Sequence, residues 1–322
     1  MSDSPGDKRR TGSAVETGAV NSGAGPINAS GEAGAGGPAA LSRWKRLGRR
    51  HFGKAEELLR RWEPYCVSAC ARFLAMDRFD DCLWGLWNAQ SSAEALLLSS
   101  KQTLLPFFPP IDRAAQIDPS RSMLRFLRKG RFHAVQGLRK DILVLEEIMA
   151  GLGRESADMI DYNLMTLDWR PAAETLRTGP PGLTIRTPEF REIENILPLQ
   201  AAYEQEEVLP QGSSFNMAAC RLNLEHIFKD HRILVAELDR QIVAKANTSA
   251  LSFTHAQIGG VFVRPEYRGR GIARRLCAEL AWTLKNSGWN LSLFVKKRNR
   301  SAQKAYHAVG FRPIADYRIS YY

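Results

Sequence analysis

The stretch VFVRPEYRGRGIARRL, residues 261–276, contains the residue types that bind a phosphate group. An apolar run ends at Val263, the RGRG turn occupies residues 268–271, and a basic amphipathic helix is predicted from Ile272 onward. Such a junction leaves unpaired backbone N–H groups at a positive helix end. The two glycines of the turn let a phosphate approach the backbone closely. We therefore predict an anion site, with a pyrophosphate group as its ligand.

A second segment has a spacing that completes this site. The run WNLSLFVKKRNRSAQKAYHAVGFRP, residues 289–313, predicts a strand, an asparagine-containing turn and a short helix with a tyrosine before a Gly-Phe pair. Together the segments resemble the GNAT superfamily of N-acetyltransferases, whose phosphate-binding motif is met by Arg268, Gly271 and Ala273. The resemblance covers about residues 183–322. The second segment matches through Asn299, Ser301, Ala302, Tyr306, Gly310 and Phe311.

The resemblance implies a co-substrate, acetyl-coenzyme A, which in this family lies between the splayed fourth and fifth strands. The RGRG turn would hold its pyrophosphate through backbone N–H groups, and the end of the fourth strand would contact the pantetheine arm and the thioester carbonyl. Arg274 and Arg275 would reach the ribose phosphate. No metal is expected. The implied cofactor-binding residues are Val261, Phe262, Val263, Arg268, Gly269, Arg270, Gly271, Ile272, Ala273, Arg274 and Asn299.

Acyl transfer to an amine requires two proton movements, because the attacking nitrogen must be neutral and the departing thiolate must gain a proton. Tyr306 matches the family position of the general acid, and a phenol with an ordinary pKa of ~10 suits that role. Many relatives use a fourth-strand glutamate as base, but HAQIGGVFV, residues 255–263, contains no carboxylate. The candidates for the base are Glu206, Glu207 and His255, or a chain of water molecules.

Other nucleotide and metal motifs are missing from the sequence. A Rossmann fingerprint needs three spaced glycines and a later acidic residue, and a P-loop needs Gly-Lys-Ser/Thr after its turn. The five cysteines include no CxxC pair. Cys66 and Cys70 are spaced one helical turn apart, which favours apolar packing in a reduced, cytoplasmic protein.

The composition limits the partners. The formal net charge of +11 favours anionic ligands, among which an acidic coenzyme, nucleic acid and a membrane surface are all compatible. No apolar run approaches the ~20 residues that cross a bilayer. The first residues have no secretory or transit signal, so we expect a cytoplasmic protein. The sequence leaves the oligomeric state open.

The chain is predicted to have three parts. Residues 1–40 are rich in Gly, Ala and Ser and are expected to be disordered, because they cannot bury enough apolar surface. Residues 41–175 are predicted to form a helical and then α/β domain, and residues 183–322 the GNAT domain. Between them, the PPG sequence at 180–182 disfavours regular structure.

The N-terminal region starts with a basic run, residues 41–54, in which Trp44, Leu47 and Phe52 have helical spacing. A basic helix here would contact RNA, a membrane or a partner, or would present a solvated face. Further on, ALLLSSKQTLLPFF predicts a hairpin, FHAVQGLRKDILVLEEIMAGLG a strand and a helix, and DYNLMTLDW a strand.

This order of elements echoes the C-terminal domain, so we expect a divergent GNAT-like half. Its strand-to-helix junction HAVQGLRKDI, residues 133–142, has one glycine and no RxxGxA pattern, and is not expected to bind the cofactor.

In the C-terminal region the pattern predicts a first strand at 183–186, helices at 189–209 and 216–229, and a two-strand meander joined at 239–241. The segment 255–263 is the fourth strand. The expected fold class is α/β (α+β). It has a GNAT-type mixed central sheet with splayed strands four and five, flanked by helices and preceded by a smaller α/β region.

These observations support a cytoplasmic N-acetyltransferase that moves an acetyl group from acetyl-coenzyme A to a primary amine by direct attack. Two alternatives remain open: a non-catalytic acyl-coenzyme A-binding regulatory module, and an aminoacyl-tRNA-dependent transferase, which tandem halves and a basic surface would suit. The acceptor, a small molecule or a protein, cannot be identified because the helices that contact it carry no transferable code. Nucleic acid is compatible as a partner but not favoured.

Overall fold

A single mixed β-sheet runs through the part of the chain that the computed structural model describes, residues 43–76, 81–87, 92–109, 119–210 and 212–322. The predicted tail, residues 1–40, lies outside these ranges. The strands are β1 Arg43–Arg46, β2 Cys82–Trp87, β3 Ala93–Ser100, β4 Thr103–Phe107, β5 Ala134–Leu138, β6 Asp158–Leu167, β7 Thr184–Arg186, β8 Ile233–Leu238, β9 Gln241–Leu251, β10 His255–Val263, β11 Asn290–Lys296 and β12 Arg312–Tyr321.

Eight α-helices in the described ranges flank this sheet. They are α1 Phe52–Arg61, α2 Val67–Leu74, α3 Arg121–Lys129, α4 Arg139–Ala150, α5 Ile193–Tyr203, α6 Met217–Asp230, α7 Ile272–Asn286 and α8 Arg300–Val309. A five-residue π-helix, Glu204–Val208, continues α5.

The order of elements repeats along the chain. Residues 43–167, the N-terminal half, contain a strand, two helices, three strands, a helix, a strand, a helix and a strand. Residues 184–321, the C-terminal half, contain the same series from β7 to β12. Both halves pair their fourth and fifth strands in parallel, β4 with β5 and β10 with β11. The N-terminal half is therefore a second copy of the same architecture.

The two halves exchange their last strands. The order across the sheet is β1-β2-β3-β4-β5-β12-β6-β11-β10-β9-β8-β7. Strand β6 of the N-terminal half thus pairs with β11, while β12 of the C-terminal half pairs with β5. The predicted boundary falls between β6 and β7, but the sheet is continuous across it, and the described residues belong to one compact unit.

This order corrects the predicted correspondence between the halves. The junction at 133–142 joins β5 to α4, so it is equivalent to the β11–α8 junction and not to the RGRG turn. The equivalent of the RGRG turn connects β4 to α3 and includes residues 110–118, which lie outside the described ranges. The similar strand-then-helix pattern of both junctions explains why the sequence did not distinguish them.

The basic run at 41–54 also differs from its prediction. Residues 43–46 form an edge strand paired with β2, and α1 begins only at Phe52. Trp44 is 1% exposed and packs edge-on against Phe108, whereas Lys45 faces solvent. The cross-strand packing of the tryptophan outweighs its helical spacing.

The predicted turns and strands of the sheet are confirmed. Lys101 and Gln102 both have positive φ between β3 and β4, as do Asp239 and Arg240 between β8 and β9. Helix α7 then packs an apolar stripe against the C-terminal half of the sheet, including Leu276 in the buried core. This packing fixes the start of α7 beside the end of β10.

Candidate active site

Strand β10 contains a bulge next to the predicted site. Its pairing with β9 shifts between Gly259 and Phe262, and Gly260 has a φ of +60°. Before the bulge Ile258 packs in the core that contains α7, whereas after it Phe262 packs on the opposite face with residues of α5. The extra residue therefore reverses which side chains face each side of the sheet.

The parallel strands β10 and β11 separate at this bulge. Their pairing runs from His255 to Ile258 and, among the described residues, extends no further. The end of β10 from Gly259 onward and the end of β11 at Lys296 both line a cavity of 1540 Å³. Separation leaves main-chain groups of β10 free of the sheet ladder on the side of β11. An extended chain such as pantetheine can then pair with them.

The RGRG turn and the start of α7 line this cavity and have the backbone geometry that an anion site requires. Gly269 and Gly271 both have a φ of +79°, a conformation that favours glycine. Gly271 is the N-cap of α7 without a side-chain cap, so the first N–H groups of the 15-residue helix have no intrahelical partner. Residues 268–274 line the cavity. The predicted strand end, turn and helix start are confirmed.

The arginines of this segment have different environments. Arg268 donates to the Val263 carbonyl oxygen at 3.0 Å and to the Glu206 carboxylate at 2.8 Å. Arg270 donates to a backbone carbonyl at 3.3 Å. Arg274 differs, because its buried Nε has no hydrogen-bond partner among the described residues. An unpartnered guanidinium N–H beside free helix amides fits a phosphate oxygen, so the residues present suit coenzyme A.

Tyr306 lies on α8, where it lines the cavity and is only 9% exposed. Its ring packs edge-on against Phe311 at 6.2 Å between centroids. Burial, together with Cys277 and Glu207 nearby, raises the pKa of the Tyr306 phenol well above its ordinary value. The hydroxyl therefore stays protonated at neutral pH, which is the form that a general acid requires.

Asn299 forms the N-cap of α8. Its Oδ1 accepts from the Ala302 N–H at 3.0 Å, and its Nδ2 donates to Glu207 Oε1 at 3.0 Å. Both ends of the side chain are therefore occupied within the protein. This arrangement fixes the β11–α8 turn beside the cavity, while direct contact of Asn299 with the cofactor stays a prediction.

Glu206 and Glu207 lie on the π-helix and contact opposite sides of the gap between β10 and β11. Glu206 forms an ion pair with Arg268 on the β10 side, at 2.8 Å. Glu207 lies 3.2 Å from Lys296 Nζ and accepts from Asn299 on the β11 side. Both glutamates line the cavity, so the structure brings these two candidate bases to the site.

His255 occupies a different place from the two glutamates. It is 8% exposed, is not among the described residues that line the cavity, and has Nδ1 3.2 Å from the Glu63 carboxylate. Burial lowers the pKa of His255, with Glu63 opposing that effect. Glu63 also accepts hydrogen bonds from Ser252 and Thr254. His255 thus belongs to a contact between the two halves and not to the cavity.

Lys245 is the residue of this region that sequence reasoning missed. It lies on β9 with 0% exposure and donates to Asn247 Oδ1 at 2.8 Å and to the Gly260 carbonyl oxygen at 2.9 Å. The ammonium also lies 5.1 Å from the centre of the Tyr203 ring. Burial lowers its pKa to about 7, against the opposing charge of Glu204. A lysine within the apolar run of β9 was the available signal.

Charged side chains bind the main chain at the end of β4 in the N-terminal half. The Phe108 N–H at the end of β4 donates to Asp141 Oδ2 at 3.1 Å, and Lys140 Nζ donates to the Phe108 carbonyl oxygen. Burial raises the pKa of Asp141 to about 6, although Lys140 and the Phe108 N–H act in the opposite direction. That this half binds no cofactor remains a prediction.

The N-terminal half nevertheless contributes to the large cavity. One face of α2 lines it through Ser68, Ala71 and Arg72, and Lys101 lines it from the β3–β4 turn. The volume of 1540 Å³ exceeds the ~300–1,000 Å³ of ordinary small-molecule sites. The cavity therefore has room for two substrates side by side.

Three further features of the described residues concern membrane spans, metal ligands and thiols. No helix in the described part of the chain combines the length and the apolar character of a membrane span. The same residues contain no group of three or more His, Cys, Asp or Glu side chains arranged to hold a metal. The five cysteines are free and buried, with 3.6 Å between the sulfur atoms of Cys66 and Cys70.

Comparison with known protein families gives a match in the C-terminal half. Residues 192–311 match the family model described as "Acetyltransferase (GNAT) family". This range contains the bulged strand, the RGRG turn, Asn299 and Tyr306. No curated protein sequence matches the chain.

Solved structures with a similar fold extend over both halves. A Drosophila melanogaster protein has a TM-score of 0.61 at 10% identity, with 87% of this chain and 99% of that chain covered. A GCN5-related N-acetyltransferase from Sphaerobacter thermophilus has a TM-score of 0.53 at 20% identity, with 83% and 84% covered. A tandem GNAT protein from the clavulanic acid biosynthesis pathway has a TM-score of 0.52 at 13% identity, with 86% and 97% covered. At these identities the similarity establishes the fold, including the second copy in the N-terminal half.

Proposed function

We propose that the protein transfers an acetyl group from acetyl-coenzyme A to a primary amine, and the match of residues 192–311 to the GNAT acetyltransferase family model supports this. The observation that carries this proposal is the separation of β10 and β11 beside the uncapped start of α7. It offers a phosphate site and an extended main-chain surface in one cavity. Acetyl-coenzyme A, when bound, supplies the activated thioester.

The residues of this chain divide the binding work by chemistry. The amides of residues 271–274 and the unpartnered Nε of Arg274 hold the pyrophosphate, because both present N–H donors at a positive helix end. The main chain of residues 261–263 orients the pantetheine arm and the thioester carbonyl. Arg268 fixes the end of β10 by donating to the Val263 carbonyl oxygen and to the Glu206 carboxylate, and it does not donate to the ligand.

Transfer then proceeds by direct attack. The amine nitrogen bonds to the thioester carbonyl carbon as the carbon–sulfur bond breaks. The sulfur takes the hydroxyl proton of Tyr306. The excess proton on the nitrogen passes through water to the carboxylate of Glu206 or Glu207 and then to the Tyr306 phenolate, which restores the enzyme. Water replaces direct contact because the strand entering the site carries no carboxylate and both glutamates are paired with cations.

Binding and turnover test this proposal separately. Calorimetry with acetyl-coenzyme A should show saturable binding, and thiol release should depend on an added primary amine. Tyr306→Phe should bind acetyl-coenzyme A as the wild type does but lose about 10²-fold or more in kcat. If the wild type does not bind acetyl-coenzyme A, the proposal fails. If Tyr306→Phe turns over normally, only the acid assignment fails.

The same experiments distinguish the two alternatives. Binding without amine-dependent thiol release would indicate an acyl-coenzyme A-binding regulatory module. Nucleic acid that co-purifies and is removed by salt, with no acetyl-coenzyme A binding, would indicate a tRNA-dependent transferase. We place the activity in the cytoplasm, because five buried free thiols suit a reducing compartment.

A further inference from the structure

Helix α5 presents one polar face to the β10 bulge. Gln200, Tyr203, Glu204 and Glu207 are spaced three or four residues apart, so they lie on the same side of α5 and of the π-helix that continues it. The Tyr203 ring covers the Lys245 ammonium, which donates to the Gly260 carbonyl oxygen. Gln200 lies one turn before Tyr203, about 5 Å along the helix axis. This polar face is therefore within one turn of the bulge.

The Glu204 carboxylate orients two carboxamide groups. Its Oε1 accepts from Gln200 Nε2 at 2.8 Å and from Asn223 Nδ2, on α6, also at 2.8 Å. A carboxylate oxygen can only accept here, so each side chain must direct its NH₂ group at Glu204. Both carbonyl oxygens are consequently turned away from it. Because the two nitrogens share one acceptor atom, the two carboxamides are neighbours.

The carbonyl oxygen of Gln200 has no donor. Gln200 is 1% exposed and lines the cavity, yet its Oε1 has no hydrogen-bond partner among the described residues. A buried polar atom without a partner is energetically unfavourable, so such an atom requires an explanation. Asn223 is exposed at the same cavity wall. Two oriented acceptors at one wall call for a ligand with two N–H donors.

A neutral primary amine has this composition, with two N–H donors and one lone pair. An alcohol has only one donor, and a secondary amine has one N–H and an extra carbon substituent. A primary amine that binds through its two N–H groups keeps its lone pair free for attack.

We propose that Gln200 and Asn223, oriented by Glu204, form the subsite that binds the NH₂ group of a primary amine acceptor. The inference rests on the proposed function and names the acceptor side of the same cavity. It explains how the site selects its nucleophile without a carboxylate on β10. Gln200, Asn223 and Glu204 are positioning residues for the acceptor and make no bond that changes in the reaction.

The test uses the full-length protein and a panel of primary amines, each paired with its N-methyl counterpart. Gln200→Met and Asn223→Ala should each raise the KM of the primary amine by about tenfold. The KM and the Kd of acetyl-coenzyme A should not change. Both variants should also lose part of the preference for the primary over the N-methyl amine. Gln205→Met, an exposed position on the same π-helix, is the matched control and should behave as the wild type.

The outcomes separate this subsite from the proposed function. If acetyl-coenzyme A does not bind to the wild type, the proposed function fails, and this subsite with it. If the wild type turns over and the amine KM is unchanged in both variants, the subsite alone is overturned. An unchanged Kd for acetyl-coenzyme A verifies that a variant is folded, and the exposed Asn223→Ala is informative even if Gln200→Met does not fold.

Discussion

The buried Lys245 makes the stability of this protein depend on pH in a predictable direction. Its pKa falls from 10.5 to about 7 on folding, chiefly because burial disfavours the charged form. At ~1.4 kcal/mol for each pH unit, this change corresponds to about 5 kcal/mol. The groups that face the ammonium are the Glu204 carboxylate, the Cys220 thiol and the Tyr203 ring.

The sign follows from proton binding. Between pH 7 and 10.5 the unfolded chain binds a proton at Lys245 that the folded chain has released, so raising the pH stabilises the folded state. Below pH 7 both states are protonated and the cost is constant. Between pH 7 and pH 9 the gain is about 2 kcal/mol, calculated from the two pKa values with the same proton linkage.

The substitution Lys245→Met isolates this effect, since methionine is unbranched and cannot titrate. Urea unfolding at pH 6, 7, 8 and 9 should show the wild type gaining about 2 kcal/mol relative to Lys245→Met between pH 7 and pH 9. Lys229→Met, at an exposed position of α6, should keep the wild-type slope. Parallel slopes for wild type and Lys245→Met would refute the claim that burial lowers the pKa of Lys245.

Three further predictions concern Gly260, Asp141 and Glu63. In Gly260→Ala the new methyl would lie 1.9 Å from the Asn247 side-chain oxygen, so the melting temperature and the rate of amine-dependent thiol release should both fall strongly. Gly269→Ala has open space around the new methyl and should lower the free energy of unfolding by only ~1–2 kcal/mol. In the wild type, stability should fall by about 3 kcal/mol as pH rises from 3.8 through about 6, because the raised pKa of folded Asp141 favours the protonated acid. Asp141→Asn should remove this pH dependence. Equal urea-unfolding profiles for both proteins would contradict this. Glu63→Ala should lower the free energy of unfolding by about 1–3 kcal/mol while leaving kcat of the folded protein unchanged, and a specific loss of kcat would return His255 to the reaction.

Local sequence was sufficient to predict the elements around the RGRG turn. The apolar run to Val263, the glycines of the RGRG turn and the helix from Ile272 all depend on neighbours in the chain, so their pattern predicted their structure. Residues 43–46 show the limit of that reasoning. Trp44 has helical spacing, but a partner strand nearly forty residues away decides its conformation.

Sequence and structure also contribute differently to the candidate catalytic side chains. Tyr306 was predicted by its place in a short helix before a Gly-Phe pair, and the structure puts it on the cavity. Glu206, Glu207 and His255 were equal candidates in the sequence. Only the contact between the halves, which buries His255 against Glu63, separates the histidine from the two glutamates.

The sequence by itself determined where the glycine turn and the start of α7 lie, because both are local structures whose free N–H groups follow from chain order. The tertiary structure alone decided the exchange of β6 and β12 and the burial of Lys245. It also decided the orientation of Gln200 and Asn223 around Glu204. Those features depend on strand pairing and packing between distant segments, whose energies no local pattern records.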